Sequence, residues 1–266
     1  MEIHREYTEI NAKTWDAWAQ NGCDWSIPVT HEQCLAAREG NWAVYLTPCI
    51  AVPRKWFGGF EGKRILGLAS GGGQQMPIFS LLGAECTVFD YSDQQLQRER
   101  EVSQREGYQI QIIKGDMTKP LPFQDESFDL IFHPVSNCYV EDILPIWKEC
   151  YRVLKKGGSL LSGFDNGMNF LFDDDGTLPL TVANRLPFNP LKMDPTVREQ
   201  MIANGEGIQF SHSLEEEIGG QLKAGFLLKD LYEDRDREGC GILEMPNINR
   251  DGLKSHPGLC LMQRII

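Results

Sequence analysis

Ile65-Leu66-Gly67-Leu68-Ala69-Ser70-Gly71-Gly72-Gly73-Gln74-Gln75 decides the fold of this chain, because an apolar run passes into three consecutive glycines and then into a helical pattern. Glycines at a strand-to-helix turn accept unusual dihedrals and let the backbone approach a ligand with no Cβ in the way. The helix beyond presents free N–H groups and the positive end of its dipole to an anion. Some 20 residues on, Thr87-Val88-Phe89-Asp90 reads as a second strand ending in a carboxylate, a position suited to accepting hydrogen bonds from a ribose diol.

Outward from this turn, short apolar runs alternate with helical segments from about Gly62 to Phe164, the pattern of β-α-β units and a parallel sheet. The predicted strands are Arg64 to Leu68, Glu85 to Asp90, Gln109 to Ile113, Phe128 to Phe132 and Ser159 to Phe164. Ser92 with Gln95 forms a capping-box pattern that opens a helix through about Glu106, closed by Gly107. Asp142 to Lys155 carries Ile143, Ile146, Trp147, Cys150, Val153 and Leu154 on one stripe and is stopped by Gly157-Gly158. A second capping box, Ser213 with Glu216, opens a helix that Gly225 ends before a strand from Phe226 to Tyr232, and Leu259 to Ile265 reads as a final strand. Between the fifth strand and this second capping box, the segment 167–212 holds four prolines, the Asp173-Asp174-Asp175 run and several aromatics, and is expected to form an inserted lid. The first 60 residues carry Trp15, Trp18, Trp25, Trp42 and Trp56 and are expected to form an N-terminal helical cap. Trp15 and Trp18, at i, i+3 spacing, are candidates to wall an acceptor, the alternative being that all five rings simply pack the cap onto the sheet.

The whole chain has 266 residues, 41% hydrophobic and 24% charged, enough for one substantial core. A formal net charge of -12 disfavours a nucleic-acid partner. The eight cysteines show no C-x-x-C pair and read as reduced thiols. The N-terminus lacks a hydrophobic signal region, and no apolar run approaches the roughly 18 to 20 residues of a membrane span, so a cytoplasmic protein with no membrane partner is expected. No compact set of metal ligands is visible, and oligomeric state is left open.

The order of features, glycine turn, Asp90, then Gly115-Asp116-Met117 after the third strand, then Phe128-Asp129-Leu130-Ile131 as the fourth, resembles the class I S-adenosylmethionine-dependent methyltransferases, especially small-molecule enzymes related to the ubiquinone and menaquinone C-methyltransferases. The resemblance covers Gly62 to Phe164 well and the C-terminal part more loosely. It implies a Rossmann-like, three-layer α/β fold with a mostly parallel seven-stranded sheet in a methyltransferase domain spanning 61–266, with S-adenosylmethionine as cofactor and a small-molecule acceptor. It further implies that Ala69, Ser70, Gly71, Gly73 and Gln75 surround the methionine part of the cofactor. Asp90 would accept from the ribose hydroxyls, with Tyr91 and Ser92 beside the adenosine. Gly115, Asp116 and Met117 would flank the adenine, and His133, Pro134, Val135 and Ser136 would lie beneath the sulfonium. Two positions depart from the family pattern: Gly67 stands where an acidic residue is usual, and Ala69 where a glycine is. Gln74, Gln75 or backbone carbonyls are the candidate replacements for the missing carboxylate.

Methyl transfer from a sulfonium needs alignment more than proton transfer, and a base only where the acceptor must lose a proton. His133 is the base candidate, with a structural role as its competitor. Asn137 and Tyr139 are candidates to orient an acceptor, and His212 is a weaker one. Two other readings stay open at this stage: a binding protein that has lost catalysis, motivated by Gly67, and an NAD(P)-dependent oxidoreductase, weakened by the absent third glycine of G-x-G-x-x-G.

Overall fold

A computed structural model describes residues 3–172, 181–234 and 262–265, with side chains from residue 7 onward and not for 262–265. The Asp173-Asp174-Asp175 run, Pro179, Cys240, Cys260 and the start of the expected final strand, 259–261, lie outside the described residues.

Five parallel strands form the centre of the molecule, in the order β3-β2-β1-β4-β5. They are β1 (Arg64–Leu68), β2 (Glu85–Asp90), β3 (Gln111–Lys114), β4 (Phe128–His133) and β5 (Leu154–Asp165). Successive side chains on a strand point to opposite faces, and the two faces are packed separately. Ile65, Val88, Leu130, Phe132 and Leu161 meet Phe57, Phe60, Met76, Phe79 and Leu96 on one side. Leu66, Leu68, Phe89, Ile131 and Leu160 meet Ile146, Trp147, Cys150 and Val153 on the other. The strands are therefore apolar almost throughout, as a sheet covered on both faces requires.

The crossovers are helices α3 (Met76–Leu81) and α4 (Asp93–Glu106), the latter ending at Gly107 in the left-handed region, φ 74°. Only half of the expected capping box forms at α4. Ser92 Oγ accepts from Gln95 N–H, but the Ser92 N–H donates to Asp90 Oδ1, so no donor is left for the Gln95 side chain. Helix α5 (Leu144–Val153) carries the predicted apolar stripe but stops two residues early. Leu154 is already extended and pairs with Phe128, and the residues before Ser159 are accommodated as a register shift, which makes β5 longer than predicted. β3 begins two residues later than predicted.

Before the sheet come α1 (Ile3–Gln20) and α2 (His31–Arg38), the latter opened by a complete Thr30/Gln33 capping box. After β5 come α6 (Pro195–Ala203), a π-helical turn (Glu215–Gly219) and α7 (Gly220–Ala224). The predicted Ser213/Glu216 capping box is present in both directions. The strand expected from Phe226 forms only at β6 (Leu231–Asp234), because Phe226 turns back onto Tyr151, ring centroids 5.3 Å apart, and Leu227 is left 80% exposed. No helix among the described residues is long and apolar enough to cross a membrane.

Candidate active site

The C-terminal ends of β1, β2, β3, β4 and β5 open into one cavity of about 1440 Å³, more than the roughly 300 to 1,000 Å³ of a pocket for one small ligand. The glycine turn forms part of its wall. A Cβ on Gly71 would lie 2.6 Å from Gln95 Cβ, and one on Gly73 2.9 Å from Val102 Cγ2. Gly72 and Gly73 have φ of 97° and 70°, values that L side chains rarely adopt. Only these residues allow the loop to lie against α4. Ala69 adopts φ 46°, a left-handed backbone that L side chains rarely take.

Asp90 ends β2 and organises the loops on both sides. Its Oδ2 accepts from Gly71 N–H at 2.9 Å and its Oδ1 from Ser92 N–H at 3.0 Å. Burial pushes its carboxyl pKa up, against these hydrogen bonds. Each oxygen keeps acceptor capacity, since an ionised carboxylate offers about four lone-pair sites. Ser70 Oγ, 3% exposed as a residue, has no hydrogen-bond partner among the described residues, and neither does Gln95 Oε1. Both residues line the cavity. Beneath the turn, Glu99 Oε1 accepts from Gly73 N–H at 2.7 Å, and burial pushes its carboxyl up to about 8. Beyond β3, a Cβ on Gly115 would collide with the Phe89 ring at 2.2 Å. Asp116 Oδ1 accepts from Thr118 N–H, 2.8 Å, and Met117 packs on the sheet.

Most of the sequence-derived site residues converge here: Ala69, Ser70, Gly71, Gln75, Asp90, Tyr91, Ser92, Gly115, Asp116, Met117, Pro134, Val135 and Ser136, with Trp15, Trp18 and Tyr139 opposite. Four do not reach the cavity. Gly73 is turned under the loop. His133 is fully buried, with Nδ1 2.9 Å from Leu68 O and Nε2 2.8 Å from Asn137 Oδ1, and burial lowers its pKa. Both ring nitrogens thus face partners inside the protein, and His133 does not line the cavity. Asn137 is spent between His133 and Glu217, and His212 Nε2 faces Asn137 O at 3.1 Å. Gln74 and Gln75 line the cavity and tie the turn to the N-terminal segment: Gln74 Nε2 donates to Asp24 O and Ile27 O, and Gln75 Oε1 accepts from Tyr45 N–H.

The sequence reading passed over Asp165, the last residue of β5, which lines the cavity; burial raises its carboxyl to about 6. The signal was available, since Asp165 closes β5 as Asp90 closes β2, and ligands of open α/β sheets sit at such ends. Phe170 and Phe188, stacked at 5.4 Å and 21°, add a second aromatic wall. Among the described residues, the carboxylates lining the cavity are Asp24, Asp90, Asp116, Asp165 and Glu206, and no Lys, Arg or His lines it.

Comparison with known proteins agrees with this geometry. A family described as a methyltransferase domain matches residues 66–162. An uncharacterized methyltransferase of Bacillus subtilis (strain 168), YbaJ, is 42% identical over 228 residues, 85% of this chain and 89% of that protein. A sterol 24-C-methyltransferase of Pneumocystis carinii (strain B80) is 33% identical over 101 residues, covering 37% of this chain and 26% of its own length. In three dimensions, an S-adenosylmethionine-dependent methyltransferase from Mesorhizobium loti superposes with a TM-score of 0.56 at 18% identity, over 77% of this chain and 90% of that one, a likeness of fold.

Proposed function

The chain belongs to the class I S-adenosylmethionine-dependent methyltransferases and transfers a methyl group from that cofactor, and from this premise we propose how its residues hold the cofactor and the acceptor. The observation that carries the proposal is Asp90, whose two oxygens each take one backbone N–H and keep room for the two ribose hydroxyls. Ser70 Oγ, buried without a partner among the described residues, and the loop N–H groups serve the amino and carboxylate ends. Asp116 accepts from the adenine amino group through Oδ2, the oxygen not bonded by Thr118 and lying 3.9 Å from Lys119 Nζ, with Met117 against the ring. Pro134, Val135 and Ser136 line the floor nearest the transferred methyl. A nicotinamide cofactor is set aside by the family match.

Bound S-adenosylmethionine supplies an electrophilic methyl group whose leaving group departs as a neutral thioether. The chain's own contribution is then to orient the acceptor, exclude water and, where the acceptor carries a proton, take it. The cavity is large enough for both ligands, which supports a small-molecule acceptor held between Trp15, Trp18, Tyr139 and the 184–210 segment.

Residues 1–60 act as the cap and 167–212 as the lid of a methyltransferase domain spanning 61–266. Asn11 of α1 supports this organisation by bonding both the β4 loop, at Tyr139 O, and the lid, at Ile208. The sheet is completed to seven strands by β7 (Met262–Ile265), antiparallel between β5 and β6; pairing of Ser162 with Ile265 and of Asp234 with Met262 supports this. A cytoplasmic location is supported by the six cysteines among the described residues, all free, and the acidic cavity favours no nucleic-acid partner.

Calorimetric titration with S-adenosylmethionine, S-adenosylhomocysteine, NAD and NADP tests this reading. The first two are expected to bind, and Asp90→Ala to weaken them tenfold or more, the scale of losing hydrogen bonds to a charged group. A folded Asp90→Ala protein with unchanged affinity would remove the ribose assignment.

A further inference from the structure

Three of the cavity's rings form a corner. Trp15 and Trp18 lie 5.1 Å apart at 75°, Trp15 and Tyr139 5.5 Å apart at 79°, and Trp18 and Tyr139 6.3 Å apart at 70°. Rings that meet nearly at right angles present faces in different directions around one point, the arrangement that surrounds a cation with π density. The corner is held in place, since Asn11 Nδ2 donates to Tyr139 O at 3.1 Å and, at 2.9 Å, to Ile208 O. Among the described residues the Tyr139 hydroxyl has no hydrogen-bond partner, and burial pushes its pKa well up, with Asp165 close enough to add to that rise. Asp165 is held in turn by the Gly167 N–H.

Among the described residues, the remaining walls carry carboxylates and no basic side chain. An anionic acceptor, whether phosphate or carboxylate, would find no counter-charge there and would face Asp165 at close quarters, so desolvation and repulsion both oppose it. A cation finds the ring faces and a carboxylate together.

We propose that the acceptor is a cationic amine with an apolar body, received by the Trp15, Trp18 and Tyr139 corner with Asp165 as its counter-charge and proton acceptor. This rests on the methyltransferase reading above and adds the substrate class to it. A protonated amine gives one proton to the Asp165 carboxylate; the freed nitrogen lone pair forms the N–C bond as the C–S bond breaks, its electron pair staying on sulfur. The product leaves as a methylated ammonium ion, and Asp165 returns its proton to solvent. The carboxyl's raised pKa, about 6, narrows the gap between the carboxyl and an amine while leaving the group ionised at neutral pH.

The test uses three probes of one shape and different charge: choline, 3,3-dimethylbutan-1-ol and 3,3-dimethylbutanoate, titrated calorimetrically into protein saturated with S-adenosylhomocysteine. Choline is expected to bind at least tenfold tighter than the neutral alcohol, and the anion not measurably. Asp165→Asn should reduce that preference below threefold while S-adenosylhomocysteine affinity stays within twofold, which also reports that the variant is folded. Trp18→Ala should weaken choline fivefold or more. Equal affinity for choline and the alcohol, tighter binding of the anion, or no binding of any probe overturns the inference and leaves the cofactor site standing. Failure of S-adenosylhomocysteine to bind the unmodified protein overturns the cofactor placement and this inference with it.

Discussion

A Cβ on Gly67 would lie 2.7 Å from Met76 Sδ and 2.8 Å from Met76 Cγ, because Gly67 shares its face of β1 with Ile65 and Met76 is packed into the core on that face. The space that a side chain at position 67 would need is occupied by a thioether. Gly67→Asp is therefore expected to destabilise the protein by about 1 to 3 kcal/mol, the scale of overpacking, and not to tighten S-adenosylhomocysteine binding. Denaturant unfolding together with calorimetry checks both halves. A stable Gly67→Asp protein with higher affinity would show that Met76 yields readily and that the missing acid is a true deficit. Asp165 illustrates the same scale: its position at a strand end was visible in the chain, but its burial, which raises its pKa, and the cavity it shares with Tyr139 and Phe188 were not.

Helix α1 is the element that joins the two halves of the site. Asp16 Oδ1 accepts from Ser92 Oγ at 2.6 Å and from Gln94 N–H at 2.9 Å, so α1 caps the N-terminus of α4 beside Asp90. Asn11, about a turn and a half earlier, holds the β4 loop and Ile208. Asp16→Ala removes the first anchor without touching the cavity wall. The expected result is faster amide exchange along residues 7–20, with β1 and β4 unchanged, and severalfold weaker S-adenosylhomocysteine binding. Unchanged exchange in α1 would show that its apolar packing alone holds it. The periodicity of α4 and α5 made both helices legible, and their stops were misjudged by no more than two residues. The π-helical turn at Glu215–Gly219 was not legible, since its capping box is the same as that of an α-helix.

For the molecule as a whole, the buried Glu99 couples stability to pH. Its carboxyl is raised from 4.5 to about 8 by burial, so the folded protein holds a proton that the unfolded chain releases. The sign follows: its contribution is least unfavourable below about pH 4.5, and stability is lost as pH rises toward 8. Glu99→Gln keeps an oxygen for Gly73 N–H and removes the ionisation. It is expected to gain stability over the unmodified protein by on the order of 2 kcal/mol or more at pH 9, with little gain at pH 5. Thermal unfolding at the two pH values decides the point, and an equal effect at both would show that Glu99 is not protonated in the native state.

The sequence by itself determined the parallel sheet, its glycine turn and the carboxylates Asp90 and Asp116 at strand ends, because strand periodicity, glycine dihedrals and capping are local properties carried by neighbouring residues. Only the tertiary structure decided that His133, Asn137 and His212 are spent inside the protein, that Met76 fills the space beside Gly67, and that Trp15, Trp18, Tyr139 and Asp165 share one cavity with no basic side chain among the described residues. These depend on contacts between residues up to 197 positions apart, as between Asn11 and Ile208, and no local pattern encodes which buried polar groups will find their partners within the protein and which will be left facing a ligand.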